Sequence, residues 1–537
     1  MSAADYEVAV IGGGPCGLLA ALLLARRGAR CALYERKAEL IQHPKAMAIS
    51  RRSAEVLQQL GLRDAMRETQ IAPPEYELAI WSESLAGEVY GRVAWHVDDP
   101  AVVPFGGFHC PQTTTERVLL DALERESEAS IFFDHEVASL TEEADFVRLN
   151  VHRGRHDQKF DITARYIVAA DGAGSPMRHR LGIEAVGPGD LGHFLNVFFR
   201  APYGSHLGGR RAVLNNLLRK GGFEVFVAVN GDDLWLMHHF LQGGETPADY
   251  PPEKLTEIVR EASGLPDVPV EILSVSPWVM SPKVASEFRK GRIFLTGDAS
   301  ARLSPAAGLG MNTGLQSAHN LAWKLFAVLR GAPETLLDSY DAERRGHVTR
   351  TYETSNDFGE ELWATIEAGF TGDFDRVRDL VAHSRRGGGG LGLDLGWRYE
   401  RGAFVAESGS AAPLDPNAYA PSADPGRRAP HLWLESEDGR LSTLDLFGRG
   451  FALLVAGDAA PWRACVDSSA KFAGFEIEIF PIGTDGYRDS EARFAELYDV
   501  NPGGAVLVRP DGVVGWRSRN CAPEGLAPAI RSILAGG

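Results

Sequence analysis

The chain has 537 residues, of which 44% are apolar and 24% charged; these are ordinary globular proportions that exclude a collagen-like, coiled-coil or disordered protein and leave room for about three or four packed units. Lys and Arg total 55 against 72 Asp and Glu, a formal charge of −17. Such a field repels phosphate backbones and anionic lipid, so nucleic acid and membrane surfaces are poor partners.

The first predicted element is a short apolar strand, Glu7 to Ile11, and nothing before it has the basic, apolar and small-residue layout of a signal peptide. Gly12-Gly13-Gly14-Pro15-Cys16-Gly17 follows and opens into a helix marked by Leu18, Leu19, Leu22, Leu23 and Ala25. That apolar stretch stops at Arg26-Arg27, far short of the ~20 residues a membrane span needs, and the cytoplasm is the expected compartment. A second strand, Cys31 to Tyr34, ends in Glu35-Arg36, placing Glu35 23 positions after Gly12. This is the spacing of a dinucleotide-binding βαβ unit. Glycines let the backbone turn tightly and approach a pyrophosphate, whose charge rests on the N–H groups of the following helix, while Glu35 would accept hydrogen bonds from an adenosine ribose. Gly387, Gly389 and Gly392 fit the same pattern, but they follow His383-Ser384-Arg385-Arg386 instead of a strand and read as a flexible loop.

Two further buried-strand runs end in acidic turns: Arg165 to Ala170 before Asp171-Gly172, and Arg292 to Thr296 before Gly297-Asp298. Parallel strands present ligand-facing groups at their carboxyl ends, so both aspartates sit where a cofactor-binding sheet needs polar groups; either could equally be a helix cap or turn former. Between them, Phe223 to Val229 and Leu234 to Phe240 read as a hairpin around Gly231-Asp232-Asp233, part of a mostly antiparallel sheet inserted into the nucleotide-binding unit, one face of which could roof a pocket. After Asp298 a Pro- and Gly-rich loop runs to Asn312, followed by a helix through Leu315, Ala318, Ala322, Leu325 and Leu329 whose positive end points back into the Pro305 to Asn312 loop.

Helices are expected over Thr349 to Ala368 and Asp373 to Ser384, then a linker over Ser408 to Pro430, dense in Ala, Pro, Ser and Gly. Beyond it, strands at Phe451 to Val455 and Phe475 to Phe480, a helix at Ser490 to Tyr498, a hairpin at Ala505 to Trp516 and a helix at Pro523 to Leu534 make a separate α/β unit. Five cysteines (Cys16, Cys31, Cys110, Cys465, Cys521) form no Cys-x-x-Cys, so no metal knuckle or dithiol motif is expected and the thiols read as buried small residues.

The glycine start with Glu35, the Asp171-Gly172 turn and the Gly297-Asp298 to Asn312 segment together resemble the single-component FAD-dependent aromatic hydroxylases, the para-hydroxybenzoate hydroxylase-like flavoprotein monooxygenases, over about residues 5 to 350. The C-terminal unit resembles the thioredoxin-like domain of the phenol- and polyketide-hydroxylase branches. The resemblance implies an α/β (α+β) fold: a Rossmann-like FAD-binding domain in two parts (1–180 and 288–405), an inserted antiparallel substrate sheet (181–287), and a thioredoxin-like C-terminal domain (425–537). It also implies that Gly12, Gly14, Pro15 and Gly17 receive the FAD pyrophosphate, that Glu35 takes the adenosine ribose and that Arg36 lies beside the adenine. Gln112 and Asp298 would flank the ribityl chain, Pro305, Gly308, Gly310, Met311 and Asn312 would meet the isoalloxazine, and Asp171 and Gly172 would serve FAD and nicotinamide use. The implied reaction is hydroxylation of a phenolic, possibly polycyclic polyketide-like compound through a flavin C4a-hydroperoxide, with NAD(P)H as a transient reductant and O₂ as co-substrate.

Four departures from the family pattern stand out. Lys45 replaces the usual arginine of His43-Pro44-Lys45-Ala46, keeping a cation but not bidentate phosphate grip. Met47 stands where phenol hydroxylases carry an acidic base, which tilts the reading away from one-ring phenols, and Ala301, Ser304 and Ala307 alter the loop lining. Pro461-Trp462-Arg463-Ala464-Cys465 occupies the thioredoxin active-site region with a single thiol, which points to packing or homodimer formation through this domain, with a lone reactive thiol as the alternative, and not to dithiol cycling. His239 and Trp278 are pocket candidates with Pro305; adjacent His238 and His239 face opposite sides of their strand, and a core or surface role is the commoner fate of such residues. Rival outcomes are Baeyer–Villiger oxygen insertion, a flavin dehydrogenase and a non-catalytic flavoprotein; a halogenase is opposed by the lack of a Gly-Trp-x-Trp-x-Ile-Pro segment.

Overall fold

A computed structural model describes residues 4–67, 71, 77–94, 98–154, 158–384, 390–407, 415–467, 473–483 and 486–537. The N-terminal apolar runs form a parallel sheet in the order Ile293–Leu295, Gln158–Ala169, Tyr6–Ile11, Cys31–Glu35, Ala129–Phe133. Val8, Ala9, Val10, Ile167 and Val168 are fully buried because helices cover the sheet, which is why these strands read as continuous apolar runs without alternation. Helices Pro15–Arg26 and Gly310–Leu329 pack on one another against this sheet. The order brings the glycine turn, Asp171 and Gly297-Asp298 to neighbouring carboxyl ends, three separate stretches of chain around one cleft.

The second sheet has seven strands in the order Glu271–Met280, Gly192–Arg200, Leu234–Leu241, Gly222–Ala228, Ala212–Arg219, Glu77–Ser82, Val89–Val93. All neighbours are antiparallel except Ala212–Arg219 with Glu77–Ser82. Two strands thus come from residues 77–93, outside the 181–287 stretch that the resemblance implies for the inserted sheet. Pairing across more than a hundred residues leaves no local signal, and only the hairpin at 222–241 could announce itself. One face buries Leu195, Val197, Phe199, Phe226, Trp235 and Met237 against Leu255 and Val259 of helix Pro252–Ser263. The other face looks toward the parallel sheet and is closed at one end by helix Asp338–Thr371, where Leu362, Trp363 and Ile366 pack on Ala79, Trp81 and Leu218.

The C-terminal unit is a four-stranded sheet, Ile477–Ile482 parallel to Phe451–Ala456, followed antiparallel by Ala505–Val508 and Val514–Ser518, with helices Ala460–Asp467 and Leu526–Leu534. The stretch expected to be a linker is packed where it is described: Ala423 and Ala429 are buried and Arg428 pairs with the buried Glu55 of helix Arg51–Gln59. Composition announced irregular backbone there, which is different from a lack of contacts. Residues 408–414 of that stretch, and Gly387 and Gly389 of the second glycine pattern, lie outside the described residues. Of the cysteines only Cys31 and Cys110 are buried; Cys16 and Cys465 are half-buried and Cys521 is exposed, so small size did not guarantee burial. Among the described residues, no helix is long and apolar enough to cross a membrane and no cluster of ligands is arranged for a metal ion.

Candidate active site

The glycine turn contains two kinds of glycine. Gly12 has φ +109°, and a Cβ on it would run into the Ala170 carbonyl; a Cβ on Gly17 would strike the carbonyl of Gly12. These two shape the turn itself. Gly14 differs, since a Cβ there meets no protein atom within 4 Å. It is the N-cap of helix Pro15–Arg26, has no side chain to cap the first-turn N–H groups, and is followed by Pro15 at the first helical position. Glu35 closes the turn: its Oε2 accepts from Gly13 N at 2.7 Å and its Oε1 from Lys37 N at 2.9 Å, leaving further lone pairs for a ribose. Arg36 is exposed beside it.

Across the cleft, segment 43–50 is bound on both sides. Gln112 N donates to Ala46 O at 2.8 Å and Ala46 N donates to Gln112 Oε1 at 3.3 Å, so the glutamine is a clamp on this segment. Its Nε2 donates to Glu116 Oε1 at 2.8 Å. Burial pushes the Glu116 carboxyl up to about 7, against the opposing pull of the Gln112 amide and of the Lys37 and Lys45 charges. Asp298 is exposed, yet burial also raises its carboxyl, with Lys45 and Arg302 opposing; the combination marks a side chain on the wall of a deep cleft. Asp171 behaves otherwise. Its oxygens accept from Ser175 Oγ at 2.6 Å and Met177 N at 2.9 Å, so its carboxylate caps helix Pro176–Arg180, while Gly172 beside it has φ +82° and open space around it.

The loop Pro305–Asn312 ends in the first turn of helix Gly310–Leu329, which likewise lacks a side-chain cap. Cβ atoms at Gly308 and Gly310 would meet no protein atom within 4 Å, and Met311 is half-buried. Pro305 is exposed at the head of a short turn of helix, Pro305–Ala307. The Asn312 side chain is consumed internally: Oδ1 accepts from Ser50 N at 2.8 Å, and Nδ2 donates to Ala48 O at 2.9 Å and Gly308 O at 3.2 Å. It fastens the loop to segment 43–50 and leaves only main-chain N–H groups for a ligand. The donor set fits FAD: two uncapped helix starts, bare glycines at Gly14, Gly308 and Gly310, and Glu35, Lys45 and Asp298 between them form a cradle for a long, doubly anionic molecule ending in a flat ring.

The roof is the inward face of the seven-stranded sheet. Register places Asn196 opposite His238 and Ser276, His238 opposite Val225, and Val225 opposite Asn216, so these side chains share one face. His43, from segment 43–50, reaches this face: Nδ1 lies 2.7 Å from Ser274 Oγ, and its other nitrogen faces Asn196 without reaching hydrogen-bond geometry. Trp278 stacks on Phe194 at 4.5 Å and 12°, Phe194 contacts Phe240 at 5.3 Å, and Phe240 meets Trp363 at 5.7 Å. Among the described residues, His43 Nε2, Asn196 Oδ1, Asn216 Nδ2, His238 Nδ1 and Trp278 Nε1 are buried polar atoms without a hydrogen-bond partner. Each costs roughly 1–3 kcal/mol, and native proteins concentrate such costs where a ligand relieves them.

His239, the pocket candidate of the sequence, lies on the opposite face, its ring tilted at 59° against Tyr250 with centroids 4.8 Å apart and Nδ1 3.4 Å from Glu224 Oε1. Strand alternation gives the pocket to His238, whose imidazole is lowered to about 4 by burial and by the neighbouring His43. Trp278 does lie on the inward face. Glu116, Asn196 and Asn216 were not singled out from sequence; the available signal was a polar residue inside an otherwise apolar strand, as in Phe194-Leu195-Asn196-Val197.

Comparison with known proteins bears on this site directly. A family model described as an FAD binding domain matches residues 5–355, and one described as the C-terminal part of aromatic-ring hydroxylases matches 422–536. The chain is 32% identical to a tetracenomycin A2 monooxygenase-dioxygenase of Streptomyces glaucescens, covering 99% of this chain and 97% of that one. It is also 32% identical to a 4-methyl-5-nitrocatechol 5-monooxygenase of a Burkholderia species, over 99% and 98%. Among solved structures, the flavin-dependent monooxygenase PieE in complex with FAD and substrate superposes with a TM-score of 0.93 at 30% identity, covering 99% of this chain and 100% of that one.

Proposed function

We propose a substrate class and a binding geometry on the premise that this chain belongs to the FAD-binding aromatic-ring hydroxylases. The chain is an FAD-dependent aromatic monooxygenase, and NAD(P)H is the reductant typical of its class. FAD, when bound, carries electrons from NAD(P)H to O₂ so that one oxygen atom enters the aromatic ring and the other leaves as water.

In this reading the first-turn N–H groups at Cys16 and Gly17 hold the pyrophosphate, Glu35 the ribose, and Lys45, Gln112 and Asp298 border the ribityl chain. The N–H groups of Gly310, Met311 and Asn312 stabilise negative charge at the pyrimidine end of the ring, because they are the positive end of a twenty-residue helix. The substrate lies between this ring and the sheet. Its flat body stacks under Phe194, Trp278 and Phe240, and its oxygens meet the roof: Asn216 Nδ2 and Trp278 Nε1 donate, Asn196 Oδ1 accepts, and neutral His238 takes a phenolic hydrogen bond. Substrate filling this space also excludes water from the reacting face.

The observation that supports a polycyclic substrate is the span of the roof. Asn196 and Asn216 are separated by three inter-strand steps, about 14 Å at about 4.8 Å per step, farther apart than a one-ring phenol reaches. The relatives include a tetracenomycin A2 and a 4-methyl-5-nitrocatechol monooxygenase, and the span of the roof supports the larger substrate class for this chain. Anaerobic stopped-flow reduction by NADPH tests the reading. Hydroxylated tetracyclic and anthraquinone-type phenols accelerate anaerobic flavin reduction and are hydroxylated once O₂ is admitted, whereas equal or better stimulation by one-ring phenols would refute it. A homodimer through the C-terminal unit and a cytoplasmic setting belong to the same reading and are checked by light scattering and cell fractionation.

A further inference from the structure

The thioredoxin-like unit has one thiol in its active-site region, and Cys465 is engaged with Pro523 O at 3.2 Å. Its route to the active site is mechanical. The hairpin turn Arg509-Pro510-Asp511-Gly512 inserts between helix Gly310–Leu329 and helix Arg51–Gln59. Asp511 Oδ2 accepts from Asn320 Nδ2 at 2.9 Å, and the Asp511 carbonyl accepts from Arg52 Nη2. Arg52 N donates to Asp394 Oδ2 at 3.2 Å. Asp394 Oδ1 accepts from Ser50 Oγ at 2.8 Å and from Gln316 Nε2 at 3.3 Å. Ser50 N is the donor to Asn312 Oδ1 that fastens the flavin-facing loop.

We propose that Asp394 is a positioning residue for the flavin site, through which the seating of the C-terminal turn on Arg52 sets the loop Pro305–Asn312. Asp394 is 3% exposed and joins two separate elements: the start of helix Arg51–Gln59, through the Oγ of its N-cap Ser50 and the Arg52 N–H, and Gln316 in the second turn of the flavin-facing helix. Every donor it holds is buried, so neither water nor a neighbour replaces it when it is removed. The relay ends on the amide whose three hydrogen bonds define the loop. C-terminal unit and cofactor site thus communicate without any redox step in the former.

The inference rests on the reading that the isoalloxazine lies against Pro305–Asn312, and the experiment separates the two. FAD affinity, the flavin absorption spectrum, the two-electron potential and the melting temperature of the holoenzyme are measured for Asp394→Asn, Ser50→Ala, Asn312→Ala and Glu407→Gln. Glu407→Gln is the control: it removes a 2.6 Å ion pair to Arg517, whose side chain bonds Glu407, Asp424 and Tyr498 and no residue of the relay. Asp394→Asn and Ser50→Ala each weaken FAD about tenfold, as expected for loss of one to two buried hydrogen bonds, and shift the flavin spectrum and potential in the same direction as Asn312→Ala. Glu407→Gln lowers only the melting temperature. Melting shifts without any flavin shift in Asp394→Asn and Ser50→Ala, alongside a clear shift in Asn312→Ala, overturn the relay. An unmoved flavin in Asn312→Ala as well overturns the placement of the ring. Ser50→Ala, the mildest change, keeps the test decisive if Asp394→Asn folds poorly.

Discussion

Gln112 and Glu116, one helical turn apart, are joined by a 2.8 Å hydrogen bond from Nε2 to a carboxyl that is 2% exposed, and the same glutamine clamps Ala46 through both its main-chain N–H and its side-chain carbonyl. Burial raises the Glu116 carboxyl to about 7 from 4.5. The folded chain therefore holds a proton that the unfolded chain has already released. Stability from this group is fully present below pH 4.5 and is lost as pH rises toward 7, an effect on the order of 3 kcal/mol. Glu116→Gln removes the titration. Melting of the cofactor-free protein from pH 4.5 to 8 falls in the wild type relative to Glu116→Gln, and parallel curves would show that Glu116 ionises normally.

His238 has the opposite sign. Its imidazole is lowered to about 4, so the unfolded chain takes up the proton first and the stability tied to neutral His238 is lost as pH falls from about 6.5 toward 4. Between pH 6.5 and 8 it is neutral and contributes a hydrogen bond to substrate, not a titration. His238→Phe lowers kcat/KM for a polycyclic phenol by about 10- to 100-fold, and leaves the pH profile of the residual activity unchanged over that range. His239→Phe, on the far face, leaves kcat/KM within about twofold. Steady-state kinetics of the two variants across pH decide whether the strand presents the histidine assigned here.

The three stretches that meet at the carboxyl ends of the parallel sheet were legible because each rests on a local rule: glycines that only a tight turn explains, an acid at a strand's carboxyl end, a helix start after a Gly-rich loop. Gly12, Gly14, Glu35 and the Asp298 to Asn312 segment all border one cleft. What sequence could not supply was the set of partners. Asp171 proves to be a helix cap and the Asn312 amide a staple, because each found main-chain donors or acceptors that become neighbours only after folding. The strand pair at 77–93 and the engaged stretch at 415–430 escaped for the same reason: their contacts cross the chain, and Arg428 meets Glu55 373 residues away.

The two kinds of glycine in the first turn separate folding from cofactor binding. Gly17→Ala drives a methyl group into the Gly12 carbonyl, and the apoprotein loses several kcal/mol or fails to fold. Gly14→Ala meets no protein atom within 4 Å, so the apoprotein keeps its melting temperature within about 2 °C. Its methyl group instead occupies the path of the pyrophosphate, and FAD affinity falls by at least about tenfold. Calorimetry of the apoprotein and flavin fluorescence titration read the two effects separately; equal losses of stability would refute the distinction.

Glu343 is a dense electrostatic node between the units. Its oxygens accept from Lys324 Nζ at 2.8 Å, Arg509 Nη1 and Nη2 at 2.8 and 2.9 Å, Asn320 Nδ2 at 2.7 Å and Ala403 N at 2.7 Å, with Lys324, Arg509 and Glu343 all fully enclosed. The two cations hold its carboxyl below the usual range despite burial, and Asp511 alone would then face both of them. Glu343→Ala leaves buried positive charge uncompensated and costs about 3–5 kcal/mol, a loss typical of breaking a buried pair from one side. Because Arg509 belongs to the C-terminal hairpin and Lys324 to helix Gly310–Leu329, the damage falls on the joint between the two. The wild type melts in one transition, and Glu343→Ala splits it into two, the C-terminal unit melting first. A single transition lowered by less than about 1 kcal/mol would show that the units hold together without this carboxylate.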